Sequence, residues 1–139
     1  MLKIIKHFLK FFTLFIAGGL IYCLIEIIYR GRTHWTSFIM GGVALCMAGA
    51  LNEIQCFDMS LIIQMTISGI IITIMEFFVG IYFNSDYSIW DYRDMPFNVD
   101  GQVCLGFSLI WCLLSLVAII LDDYIRWKFF NEEKPEYKI

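Results

Sequence analysis

The chain has 139 residues, 60% of them hydrophobic and only 17% charged, with a formal net charge of -3 at pH 7. Soluble domains run nearer half apolar and a quarter charged, and so short a chain cannot hide the excess in one water-exposed core. The composition points to lipid as solvent, and the acidic balance with scattered basic residues argues against nucleic acid as a partner.

In chain order, the first apolar segment, 11–29, follows a basic flank of Lys3, Lys6 and Lys10 and is interrupted only by Glu26. Its length and the lack of a small-residue cleavage site after it identify a retained helix, not a signal peptide. The loop 30–35 is short enough to hold Arg30, Arg32 and His34 against the ends of the first two helices. The second segment, 35–51, is uncharged and carries Gly41, Gly42, Ala44, Cys46, Ala48, Gly49 and Ala50, small residues suited to close helix contact. A loop free of basic residues, 52–59, leads to the third segment, 60–83, which holds Gln64 and Glu76. The loop 88–102 is aromatic and acidic, punctuated by Pro96 and Gly101, and is expected to fold back as a lid over the helix ends. The fourth segment, 103–121, is uncharged, and a charged tail, 127–139, has no domain of its own.

Each segment is about as long as a helix needs to cross a bilayer, and a β-barrel would show alternation and more strands. The expected fold is all-α: a four-transmembrane-helix bundle over residues 1–126. Seven basic residues (Lys3, Lys6, Lys10, Arg126, Lys128, Lys134, Lys138) face three on the other side (Arg30, Arg32, Arg93), which puts both termini in the cytoplasm. Tyr29, Trp35, Tyr82, Tyr87, Trp90 and Tyr92 would form the outer aromatic belt, Tyr124 and Trp127 the inner one. Gly19 precedes Glu26, and Gly69 precedes Glu76, by two helical turns, and a tryptophan follows each helix. This suggests two helical hairpins repeated in parallel, a plan some transporters use.

Polar residues in lipid are costly, so they are the functional candidates. Glu76 sits about 10 Å inside the outer end of its helix, with Thr66, Gly69, Thr73 and Gly80 on or near its face. Glu26 is one turn before Arg30 and placed to pair with it. With His34, and with Trp90, Asp91, Asn98 and Gln102 from the lid, they form a candidate substrate- or ion-binding set at the outer face; His34 near Glu26 and Asp91 would suit proton coupling. An inner-face cluster gathers Asn52, Glu53, Gln64, Asp122, Asp123 and Arg126, with Asp122 and Arg126 one turn apart. The five cysteines form no CxxC pair, and the four in apolar runs read as small hydrophobes. No metal site, cofactor, or nucleophile–base pair is expected, which makes catalysis the weakest function class.

Glu26, Arg30-Gly31, Thr33-His34-Trp35, Gly41-Gly42, Asn52-Glu53, Gln64, Thr73 with Glu76, Trp90-Asp91-Tyr92, Pro96-Phe97-Asn98, Gly101-Gln102-Val103-Cys104 and Asp122-Asp123 to Arg126 together form a pattern. It resembles the type IV ABC-transporter membrane family of bacteria, over about residues 16–126. The resemblance implies a multi-pass protein of the bacterial cell membrane. The chain has no Gly-x-x-x-x-Gly-Lys-[Ser/Thr] motif, so any ATPase would be a separate subunit. Two readings follow: a permease component with its polar site near the outer face, or a non-transport assembly protein that binds lipid or partner helices. Four short helices make a thin bundle, so a homo-oligomer or another membrane subunit is expected beside the lipid.

The topology predicts that a cysteine placed at Ser88 reacts with an impermeant thiol reagent in intact cells and one placed at Asp58 does not. Labelling at Asp58 would overturn the orientation.

Overall fold

A computed structural model describes residues 1–53 and 59–139. The side chains of residues 52 and 53 are outside that description, so the expectations for Asn52, Glu53 and Cys56, and for the inner loop, lie outside the described residues. Four helices account for nearly all of the structure: α1 (Leu2–Arg30), α2 (Trp35–Glu53), α3 (Leu61–Phe83) and α4 (Leu105–Phe130). The expectation of an all-α chain needs one addition, a two-residue antiparallel ladder in the outer loop, β1 (Asn98–Val99) with β2 (Val103–Cys104).

Two helices outrun the apolar segments that announced them. α1 starts at Leu2, not near residue 11, because lysine is a good helix former and nothing in Lys3 to Lys10 breaks a helix. α4 continues past residue 121 because Asp122 and Arg126 both face inward, where they pair at 2.7 Å. Local signals set the other ends. Gly31 takes a left-handed φ of 73° and its N–H bonds the Ile27 carbonyl at 2.9 Å, closing α1. The Ser60 hydroxyl accepts from the Ile63 N–H at 3.4 Å and opens α3. In the outer loop Asp100 and Gly101 hold φ of 51° and 63°, and the Gln102 N–H bonds the Val99 carbonyl at 3.0 Å. That is the tight turn an Asp-Gly pair favours.

α1 packs chiefly on α2 and α3 on α4, with α2 also touching α3 and α4; contact between α1 and α4 is sparser. The α1–α2 crossing depends on glycine. A Cβ added to Gly18 would strike the Gly41 carbonyl oxygen, and one added to Gly41 would strike Gly18 in return. The two backbones therefore touch directly.

The distribution of polarity is inverted relative to a soluble bundle. Leu20, Leu24 and Ile28 on α1, Ile70, Ile74 and Phe78 on α3, and Leu109, Leu113 and Val117 on α4 are exposed at helical spacing. Glu76, Asn84, Ser115 and Asp122 are at most 2% exposed. Three helices, α1, α3 and α4, are long and apolar enough to cross a membrane. α2 is apolar over Trp35–Leu51, a shorter stretch.

Gly41→Val should force α1 and α2 apart, costing roughly 1–3 kcal/mol as overpacking does. Thermal unfolding in detergent should show a lower midpoint for Gly41→Val, while Ile39→Val, on the exposed face of the same helix, stays near wild type.

Candidate functional site

The end of the bundle beneath the loop 88–102, taken as outer in the sequence-based orientation, contains a continuous polar chain. It begins at Thr33, whose hydroxyl donates to Glu26 Oε2 at 2.8 Å. Glu26, buried on α1, faces Arg30 across 3.6 Å at the one-turn spacing. Arg30 then reaches into the lid, donating to the Ile89 carbonyl at 3.1 Å and to the Tyr92 hydroxyl oxygen at 3.3 Å. The Tyr92 hydroxyl in turn donates to Glu76 Oε1 at 3.1 Å. The other Glu76 oxygen accepts from the Trp111 indole N–H of α4 at 2.9 Å. One guanidinium thus serves two carboxyl groups, directly on one side and through a phenol on the other.

Burial pushes the Tyr92 phenol well above its ordinary pKa, with the Glu76 charge adding to the shift and Arg30 opposing it. Tyr92 therefore remains a donor at any physiological pH. Its ring stacks on Phe107 at 4.6 Å, and with Met40, Trp90 and Cys104 it forms the apolar core under the lid. Trp111 stacks on Tyr22 at 5.5 Å, so the indole that feeds Glu76 is fixed from the side of α1.

A second hub holds the lid itself. Asn84, at the end of α3 and fully buried, donates to the Trp90 carbonyl at 2.7 Å and to Gln102 Oε1 at 3.0 Å. Its own side-chain oxygen accepts from the Ile89 and Trp90 N–H groups at 2.8 and 3.3 Å. Gln102 returns a bond to the Asn84 carbonyl at 3.0 Å, and the Trp90 indole donates to the Gln102 carbonyl at 2.9 Å. A Cβ on Gly80 would collide with Gln102, so the glycine one turn from Glu76 on the lid side is what lets the lid sit this low. The loop folds back over the helix ends, as its aromatic and acidic composition suggested.

The sequence-nominated outer residues divide into two groups. Glu26, Arg30 and Glu76 belong to the polar chain, and Trp90 and Gln102 to the hub beneath the lid. Asp91 and Asn98 lie on the exposed side. Asp91 pairs with Arg93 at 2.6 Å, and the hydrogen bonds of that guanidinium hold its carboxyl down at about 2. Asn98 is spent within the loop, donating to the Arg93 and Met95 carbonyls and accepting from the Gly101 N–H. His34 turns toward Thr36 at 2.9 Å and packs on Trp35, and is not part of the chain between Glu26 and the lid. Thr66 faces outward and bonds the Ile62 carbonyl, so it is not part of the Glu76 face. Trp90 and Tyr92 are 6% and 4% exposed, which removes both from the aromatic belt and places them in the core.

At the inner end, Asp122 and Arg126 form a buried pair, and Arg126 also faces Glu132 at 3.7 Å. Glu132 receives the Lys10 ammonium at 2.8 Å, joining the tail to α1. Asp123 points elsewhere, accepting from the Tyr137 hydroxyl at 2.8 Å. Gln64 donates to the Met59 carbonyl at 3.2 Å. Among the described residues no three His, Cys, Asp or Glu side chains are grouped to hold a metal.

The sequence reading missed Tyr92, Trp111 and Thr33 as partners of the glutamates, Asn84 as the lid hub, and Lys10 as an inner anchor. Only Thr33 and Asn84 left a local signal, each a polar residue beside the outer end of an apolar helix.

Residues 9–132 match the family described as "Putative ABC-transporter type IV". The chain belongs to that family. No curated protein matches it significantly, and no solved structure does. The matched residues of this type IV family member take in both polar ends just described, from Lys10 to Glu132, and the whole lid. Its apolar helices fit insertion in a membrane.

Removing one donor to Glu76 should cost about 1.5–3 kcal/mol, the range for a hydrogen bond to a charged group. Trp111→Phe and Tyr92→Phe should each lower the thermal midpoint in detergent. Tyr92→Phe alone should also speed hydrogen exchange across residues 88–102, because it unties the lid; equal exchange in both variants would refute the tie.

Proposed function

We propose that this family member is a permease component of an ABC-type transport assembly. On this reading it crosses the bilayer four times with both ends cytoplasmic, and works with a separate ATPase subunit and a second membrane subunit or copy of itself. The carrying observation is Glu76, which is buried among apolar helices and held by one donor from the lid and one from α4. A group so costly to bury, shared between the lid and α4, suits an outer gate. If Tyr92 withdraws, Glu76 and the Glu26–Arg30 pair face the outer side as the polar entrance, with Trp90 and Gln102 at its rim.

Several features support the finer parts of this reading. Glu26 and Glu76 occupy corresponding places, each buried two turns beyond a buried glycine, as two parallel hairpins require. Local thinning of the bilayer accommodates the shorter α2 as a fourth crossing. The basic asymmetry supports cytoplasmic ends, and the inner charged residues then offer the ATPase subunit a docking face.

The second reading, a non-transport subunit that binds partner helices or lipid, draws on the same residue. Both Glu76 oxygens already have donors and the side chain is buried, so in this conformation a substrate does not reach it.

Affinity purification of the tagged chain from native membranes distinguishes the two. The permease reading expects a co-purifying subunit with a phosphate-binding loop, and ATP hydrolysis that falls on the order of tenfold in Glu76→Gln, about the worth of one hydrogen bond to a charged group, with insertion unchanged. Absence of any nucleotide-binding partner in both mild detergent and nanodiscs, or full activity in Glu76→Gln and Glu76→Leu, would give the second reading the field.

A further inference from the structure

Below the Tyr22–Trp111 stack the bundle does not close. A cavity of about 90 Å³ lies between the helices, its back wall formed where Gly18 and Gly41 bring α1 and α2 into contact. Its lining is almost wholly apolar, and all four helices contribute. On the side where α1 and α4 diverge, the lining residues Ile21, Ile25 and Val117 are 37%, 39% and 56% exposed. The cavity therefore opens sideways, toward the surface that carries the exposed leucines and isoleucines.

We propose that this cavity takes the end of one acyl chain of a membrane phospholipid, the rest of that chain lying in the opening between α1 and α4. Three observations select that occupant. The lining offers a polar ligand nothing to bond, and an apolar cavity stays dry and takes apolar molecules. Along α4 it extends from Trp111 to Leu121, about 15 Å by helical rise, half the roughly 30 Å of a bilayer's hydrocarbon core and so the reach of a single leaflet. At about 90 Å³ it is also too small for a helix, whose diameter with side chains is about 10 Å, which rules out a partner segment or a second copy inside it. The chain would press on the two elements whose rings stack at Tyr22 and Trp111, and so lie directly below the donor to Glu76. The proposal rests on the membrane-subunit reading above but not on the gate.

The test uses the full-length protein in nanodiscs containing a phosphatidylglycerol with a diazirine midway along one acyl chain. After photolysis, adducts are mapped by mass spectrometry. Occupancy predicts that Leu114 and Leu121 in the cavity are labelled about tenfold more than Leu109 and Leu113 on the outer face of the same helix, as expected for bound against passing lipid. Ala118→Phe and Ala44→Phe, each filling the cavity, should abolish the excess; Leu113→Phe should leave it intact. Equal labelling of the two faces in the wild type overturns the proposal and needs no variant to fold. Retention of the excess in either filled variant also overturns it. Because no ATPase takes part, a failed transport reading leaves a positive result standing, and uniform labelling leaves the transport reading untouched.

Discussion

A buried carboxyl group surrounded by hydrocarbon-facing helices has to be given hydrogen-bond donors by the protein, because water cannot supply them. Glu76 imposes that requirement, and the outer half of the molecule is arranged to meet it. Tyr92 can reach the carboxyl only if the loop descends between the helix ends, and the loop descends only where Gly80 leaves room for Gln102. Asn84 then ties the loop to the end of α3 at two places, Trp90 and Gln102. Trp111 supplies the second donor only because Tyr22 holds its ring. Each part has its own contacts, but all of them converge on one side chain.

The inner end meets the same requirement with ions. Asp122 and Arg126 neutralise each other in the bundle, and Lys10 and Glu132 close the cluster from the two ends of the chain. Polar networks therefore fix both ends of the bundle, while its middle is held by backbone contact between glycines and by apolar side chains. Without directional bonds the middle has the most latitude to repack, and it is there that the α1–α4 cavity opens. A device that moves would be expected to hinge in that layer.

Much of the architecture was legible because apolar runs and their interruptions are local properties. Four helices follow from four such runs, and the interior placement of Glu76 follows from the small residues Gly69 and Gly80 on its side of α3. The Asp122–Arg126 pair was readable from one-turn spacing alone. The partners of Glu76 were not, because Tyr92 lies 16 residues away and Trp111 lies 35 away, and only the tertiary fold brings them together. Tyr92 and Trp90 looked like interface aromatics because composition cannot distinguish a ring at the membrane surface from a ring tucked beneath a loop. His34 shows the opposite failure: nearness in sequence suggested a role with Glu26, but the start of α2 turns it toward Thr36. The helix ends were misjudged for a related reason. Apolar runs stop at the first charge, whereas helices stop where capping or backbone geometry stops them.

The Lys10–Glu132 contact also bears on how the molecule is made. Its two members are 122 residues apart, one near the first helix's start and the other just after the last helix. During synthesis α1 enters the membrane long before Glu132 has left the ribosome, so the buried ammonium has to spend that interval against lipid phosphate or water. The α1–α2 hairpin has its own Gly18–Gly41 contact and does not wait for this pair, whereas the closure of α1 against the tail does. The first helix and the last are thus fastened to each other late, at the end of the bundle opposite the lid.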